Sequence, residues 1–139
     1  MPDRILYTAE ATSTGDGRSG HVTSSDELLD FDLAVPVEMG GAGGGTNPEQ
    51  LFAAGYSACF HSALRVIGRR QKVDVEGSTV TAQVGIGPDG PGFGLAVTLR
   101  VHLPNVPADQ ALGVAQAAHE VCPYSRATRG NIVVDLQVV

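Results

Sequence analysis

Thr46-Asn47-Pro48-Glu49-Gln50-Leu51-Phe52-Ala53-Ala54-Gly55-Tyr56-Ser57-Ala58-Cys59-Phe60 is the stretch on which the reading of this chain turns. Asn47 is a preferred N-cap. Pro48 is pre-set for the first helical position, where no amide donor is needed, and Glu49 places a carboxylate against the positive end of the helix dipole. A helix starting there is expected to run to about Gly68 or Arg70, with Arg69, Arg70 and Lys72 complementing its C-terminal end. The segment is apolar almost all round, which marks a central, buried helix rather than a surface one. Cys59 stands in its middle.

Upstream, Gly40-Gly41-Ala42-Gly43-Gly44-Gly45 leads into this helix, as a plain connector or as a flexible loop that closes over something. Before it, residues 4–11, 21–25 and 28–35 read as short extended segments, with Thr14-Gly15-Asp16-Gly17 as the first turn. Downstream come two alternating runs. Val80, Ala82, Val84 and Ile86 form one; Phe93, Leu95, Val97, Leu99, Val101 and Leu103 form the other, with a turn over residues 87–92 between them. A period of two puts one face of each run on a core, as half-buried strands do. Pro107-Ala108-Asp109 opens a second helix that ends at Cys122, because Pro123 disfavours helical geometry at the residue before it. Ile132, Val134, Leu136 and Val138 close the chain as a last strand. The order of elements predicts an α+β fold with a mainly antiparallel sheet.

At 139 residues and 42% hydrophobic content, a single domain over residues 1–139 is expected, large enough to bury roughly two-thirds of its unfolded surface. No repeat or linker interrupts it. The first thirty residues carry scattered charges and no apolar run of signal-peptide length, and no stretch reaches the ~18 apolar residues of a membrane span. A cytoplasmic protein with no membrane partner is expected. The net charge of −6, with nine scattered Lys and Arg, argues against nucleic acid, which wants a basic patch. In a reducing compartment two cysteines are metal ligands or redox groups sooner than a structural staple.

Two glycine patterns match G-x-G-x-x-G, over residues 15–20 and 85–90, but neither opens a helix that could receive a pyrophosphate. Both are read as turns, and no cofactor is expected. Cys59, His61, His119 and Cys122 offer the ligand count of a closed zinc site. On a helix, however, His61 lies about 200° around from Cys59, so the two cannot face one ion, and no metal is expected. The same geometry denies a Cys59–His61 nucleophile pair. If the fold brings Cys59 and Cys122 together they form one redox couple, since a second thiol in reach can collapse a sulfenic acid into a disulfide. From the residues alone three classes stay open: a thiol peroxidase, a zinc-binding module, and a carrier of apolar ligands whose cysteines are merely buried.

Four blocks narrow this choice: residues 7–12, Gly17-Arg18-Ser19-Gly20, the segment from Gly45 to Phe60, and Cys122-Pro123-Tyr124-Ser125-Arg126-Ala127-Thr128-Arg129-Gly130-Asn131. Together they resemble the organic hydroperoxide resistance (Ohr) branch of the OsmC superfamily. The resemblance covers nearly the whole chain, and Ser57, where many members carry Ala, is a minor departure. The Asn47–Phe52 and Cys122–Ser125 blocks favour Ohr over the sister OsmC-type peroxidases of broader peroxide range.

The resemblance implies antiparallel sheets wrapped around two central helices in an intertwined homodimer. It implies a peroxidase that reduces alkyl or fatty acyl hydroperoxides to alcohols. Cys59 would be the peroxidatic thiol, Cys122 the resolving thiol that forms a disulfide with it, and Arg18 and Glu49 the activating pair. The oxidised form would be recycled by a dithiol such as protein-bound dihydrolipoamide. The residue types suit these roles. Burial pushes a thiol pKa up, so a cation must offset it; a guanidinium stays charged when desolvated, and a carboxylate can hold it by two hydrogen bonds. Without the resemblance, Arg18 is a turn residue beside Gly17 and Glu49 a helix-dipole carboxylate.

Helix geometry adds a constraint. Glu49 and Cys59 are ten residues apart, a rise of about 15 Å, beyond the reach of a glutamate. Either the helix is interrupted near Gly55, or Glu49 of the partner subunit, with its Arg18, completes the site. The apolar girth of the helix favours the second route.

Overall fold

The computed structural model describes residues 1–139, which form two compact units, Met1–Pro48 and Glu49–Val139. In the first, β1 (Ala11–Thr14), β2 (His21–Ser24) and β3 (Asp30–Asp32) make an antiparallel sheet in that order. The β1–β2 connection holds Gly15 and Gly17 at φ +75° and +63° and contains one 3-10 turn, Gly17–Ser19, which carries Arg18. β3 is tied to β2 through His21, whose Nδ1 meets Asp32 Oδ1 at 2.8 Å while Nε2 meets Asp30.

The glycine-rich stretch is folded tightly rather than left as an open loop. The amides of Gly41 and Gly43 donate to the carbonyls of Pro36 and Val35, both at 3.0 Å. A β-carbon on Gly41 would lie 2.1 Å from the Val35 carbonyl oxygen, so glycine is required by close approach. The extended segment expected over residues 4–11 is not a strand. Only Ala11 joins β1; Ile5, Leu6 and Tyr7 are 67%, 83% and 79% exposed and find no ladder partner within the chain.

The second unit is built on α1 (Pro48–Gln71), which starts where the Asn-Pro-Glu signal placed it and passes through Gly55 without a break. The interruption near Gly55 is therefore excluded, because the helical hydrogen bonds continue across it. Lys72 ends the helix in the left-handed region, φ +56°, and the Val73 amide reaches back to the Gly68 carbonyl at 2.9 Å, a Schellman closure. Tyr56, Phe60, Ala63, Leu64, Ile67 and Gly68 are buried, at the three- and four-residue spacings of one helical face. All-round burial is not observed within the chain: Ala54, Ala58 and Ser62 on the opposite face are exposed.

Against that buried face lies a hairpin, β4 (Thr79–Asp89) and β5 (Gly92–His102), paired from Thr79 with His102 to Asp89 with Gly92. The expected six-residue turn shrinks to Gly90-Pro91, with Gly90 at φ +56°. Val97, Leu99, Val101 and Leu103 are buried, as the alternation predicted. β6 (Val134–Val138) pairs with β5 in parallel, so the expectation of antiparallel sheets fails at this strand. The reason is the connection: two helices, α2 (Ala108–Val121) and α3 (Pro123–Thr128), carry the chain back before β6 begins. Val114, Ala115 and Ala118 of α2 complete the core with Tyr56, Phe60 and Leu64. Each large side chain buried there contributes about 1.5–3 kcal/mol. No helix is long and apolar enough to cross a membrane.

Candidate active site

The two thiols converge. Cys59 projects from the middle of α1 and Cys122 stands at the corner between α2 and α3, with their sulfurs 3.8 Å apart and both free. Pro123 creates that corner: Cys122 caps α2 with φ −62° and ψ 124°, the extended geometry a following proline imposes, and the chain restarts at once as α3. Cys122 is wholly buried and Cys59 partly so. Burial pushes the Cys59 pKa up, opposed by a hydrogen bond from the backbone amide of Tyr124 and reinforced by the neighbouring Cys122. Within the single chain the net direction is upward, which favours the thiol over the thiolate.

Behind Cys122 runs a buried polar chain that sequence reasoning missed. Tyr56 Oη meets Ser125 Oγ at 2.8 Å and Thr128 Oγ1 at 3.3 Å, and Ser125 Oγ also meets His119 Nδ1 at 2.8 Å. Arg129 Nη2 donates to the His119 carbonyl at 2.6 Å. Burial, and then the Arg129 charge, hold the His119 pKa down. These bonds tie α1, α2 and α3 together beside Cys122. The only signal in the sequence was the Cys-Pro-Tyr-Ser block, in which the proline corner folds Ser125 back toward His119. Phe52 packs edge to face against Tyr56 and Tyr124, which are tilted against each other, with centroids 5.6–6.2 Å apart.

His61 does not join the thiols; its Nε2 meets Ser78 Oγ at 3.0 Å. Glu49 lies in the first turn of α1, about 15 Å along an unbroken axis from Cys59. Arg18 belongs to the 3-10 turn of the first unit and is half-buried. Beside Cys59 opens a cleft of about 440 Å³, walled by Ala63 and Val66 of α1 and by Val121 and Pro123, with Ser62 and Arg70 as its polar members. That volume lies within the range of small-molecule sites. A thiol lining a mostly aliphatic cleft, with a second, buried thiol 3.8 Å behind it, can undergo two-electron oxidation and close to a disulfide.

Residues 41–137 match the profile of the OsmC-like protein family. The chain is 50% identical over 137 residues to the organic hydroperoxide resistance protein of Xanthomonas axonopodis pv. citri, covering 97% of this chain and 96% of that one. Among solved structures it superposes on an organic hydroperoxide resistance protein of Legionella pneumophila with a TM-score of 0.92 and 48% identity, covering 97% and 98% of the two chains. The structure of OhrB from Bacillus subtilis gives a TM-score of 0.88 at 45% identity, covering 97% of this chain and 100% of that one.

Proposed function

Because the chain belongs to the OsmC family, in the company of the organic hydroperoxide resistance proteins, we propose that it is a thiol peroxidase that reduces organic hydroperoxides through Cys59 and Cys122. The observation that carries this reading is the 3.8 Å approach of the two sulfurs beside a mostly aliphatic cleft. The Cys59 thiolate attacks one peroxide oxygen, the O–O bond breaks, and the alkoxide leaves as an alcohol after taking a proton. Cys59 becomes a sulfenic acid. Cys122 then attacks the sulfenic sulfur, a disulfide forms, and the hydroxyl leaves as water. A dithiol such as dihydrolipoamide on a lipoylated protein returns two electrons and two protons and restores both thiols.

Arg18 activates the thiol by offsetting the burial that raises its pKa, and Glu49 holds the guanidinium in place. The unbroken helix between Glu49 and Cys59 supports a shared site, in which Arg18 of the partner subunit and Glu49 of the partner subunit reach Cys59 in a homodimer. The exposed arm of Ile5, Leu6 and Tyr7 and the uncovered face of α1 supply apolar surface for such an association.

The test is intact mass and peptide mapping after one equivalent of an organic hydroperoxide. A Cys59–Cys122 disulfide is expected in the wild type, and a sulfenic or sulfinic acid on Cys59 in Cys122→Ser. Arg18→Ala slows both this oxidation and the alkylation of Cys59 at neutral pH, and Glu49→Ala does so less strongly. A wild-type product joined mainly through Cys59 of two chains would overturn the reading.

A further inference from the structure

Cys59, Ala63, Val66 and Arg70 follow one another on α1 at spacings of three and four residues, so they share one face of the helix. All four line the cleft described above, with Val121 and Pro123 facing them. Along the helix axis the cleft therefore passes from a thiol, over aliphatic side chains, to a guanidinium. A helix-end cation needs no ligand to explain it, since it complements the dipole. What distinguishes Arg70 from its neighbour Arg69 is that Arg70 alone lines the cleft. Arg65, on the preceding turn, is engaged by Glu76 at 3.1 Å, whereas Arg70 is exposed and takes part in no ion pair.

We propose that Arg70 is a specificity residue. It receives the carboxylate of a fatty-acid hydroperoxide whose alkyl chain lies along Val66 and Ala63 and whose peroxide group meets Cys59. This deepens the peroxidase reading and rests on it. Eleven residues of helix rise about 16 Å, and the long arginine side chain leans back toward the N-terminus, shortening the gap. At about 1.2 Å per bond of an extended chain, the span suits roughly eight to thirteen carbons between carboxylate and peroxide. A short hydroperoxide without a carboxylate reaches the thiol and never uses Arg70.

The experiment measures kcat/KM for a long-chain fatty-acid hydroperoxide, its methyl ester and tert-butyl hydroperoxide, in the wild type, Arg70→Gln and Arg70→Lys. In Arg70→Gln the ratio of acid to ester falls about five- to tenfold, the range of one partly exposed charge-assisted pair. In Arg70→Lys it stays within about twofold of the wild type, and added salt narrows it wherever a cation is present. A ratio is insensitive to loss of folded protein, so misfolding cannot imitate the effect. If acid and ester fall equally in Arg70→Gln, or the wild type does not distinguish them, the role of Arg70 is wrong while the peroxidase reading stands. If none of the three peroxides oxidises Cys59, the peroxidase reading itself fails and this inference with it.

Discussion

A β-carbon on Gly55 would lie 2.8 Å from Tyr124 Oη and 3.2–3.3 Å from its ring carbons, so α1 and α3 meet at their observed distance only because residue 55 has no side chain. Glycine at the centre of a helix costs about 1 kcal/mol relative to alanine. Here the close packing outweighs that propensity: Tyr124 is held between Phe52 and Tyr56, and its own backbone amide donates to Cys59.

Gly55→Ala is therefore expected to destabilise the protein by about 1–3 kcal/mol despite the gain in helix propensity, as overpacking does. Tyr124→Phe removes the atom in closest conflict, so Gly55→Ala with Tyr124→Phe should be more stable than Gly55→Ala alone. Urea denaturation of the four proteins in this cycle measures the coupling. Additive effects would show that the ring is not what enforces the glycine.

Ser125 joins Tyr56 and His119 in the buried chain behind Cys122 and is wholly enclosed. Ser125→Ala leaves Tyr56 with only the 3.3 Å contact to Thr128 and His119 Nδ1 without its partner. A buried polar group left unpaired costs about 1–3 kcal/mol, so a loss of that size is expected in chemical denaturation. The same substitution loosens the α2–α3 corner, and disulfide closure after peroxide addition should slow in stopped-flow measurements.

The helix start at Asn47-Pro48-Glu49, the two alternating strands and the end of α2 at Cys122 were legible because capping, periodicity and the proline rule act within a few residues. α3 was not, since six residues are too few to display a helical period. The parallel pairing of β6 with β5 was hidden for another reason: orientation is set by a connection through two helices, not by the strand's own residues. The convergence of Cys59 and Cys122 was an open condition in the residues alone. The Tyr56–Ser125–His119 chain was invisible to local reasoning because it joins residues on three different helices.

The two histidines with displaced pKa values should titrate on opposite sides of the ordinary 6.5. His119 falls below it, through burial and then Arg129, while His21 rises above it, through its hydrogen bonds to Asp32 and then Asp30. The sign follows from linkage. A base whose folded pKa is depressed binds more protons when unfolded, so His119 adds stability that is lost as pH falls from 6.5 toward its folded value. His21 does the reverse, adding stability present below 6.5 and lost as pH rises through its raised value. NMR titration of the ring protons checks the directions. In His119→Asn, the decline of stability on acidification below 6.5 should be smaller than in the wild type.

The unbroken α1 sets up the sharpest test of how the site is assembled. Glu49 is about 15 Å from Cys59 along the helix, beyond the reach of its side chain, and the proposed shared site takes its activating pair from the partner subunit. Mix Arg18→Ala chains with Cys59→Ser chains under conditions that exchange subunits. The Cys59→Ser parent lacks the thiol and should be inactive, and the Arg18→Ala parent lacks the activating cation and should be slow. In a mixed dimer, however, the intact Cys59 sits on the Arg18→Ala chain and faces Arg18 of the partner subunit, so one complete site is regenerated. Peroxidase activity should rise on mixing and scale with the mixed dimer resolved by native mass spectrometry. Were Arg18 and Cys59 of the same chain to form the site, every site in the mixture would lack one of them. Mixed dimers without recovered activity would therefore place the arginine and the thiol in one subunit.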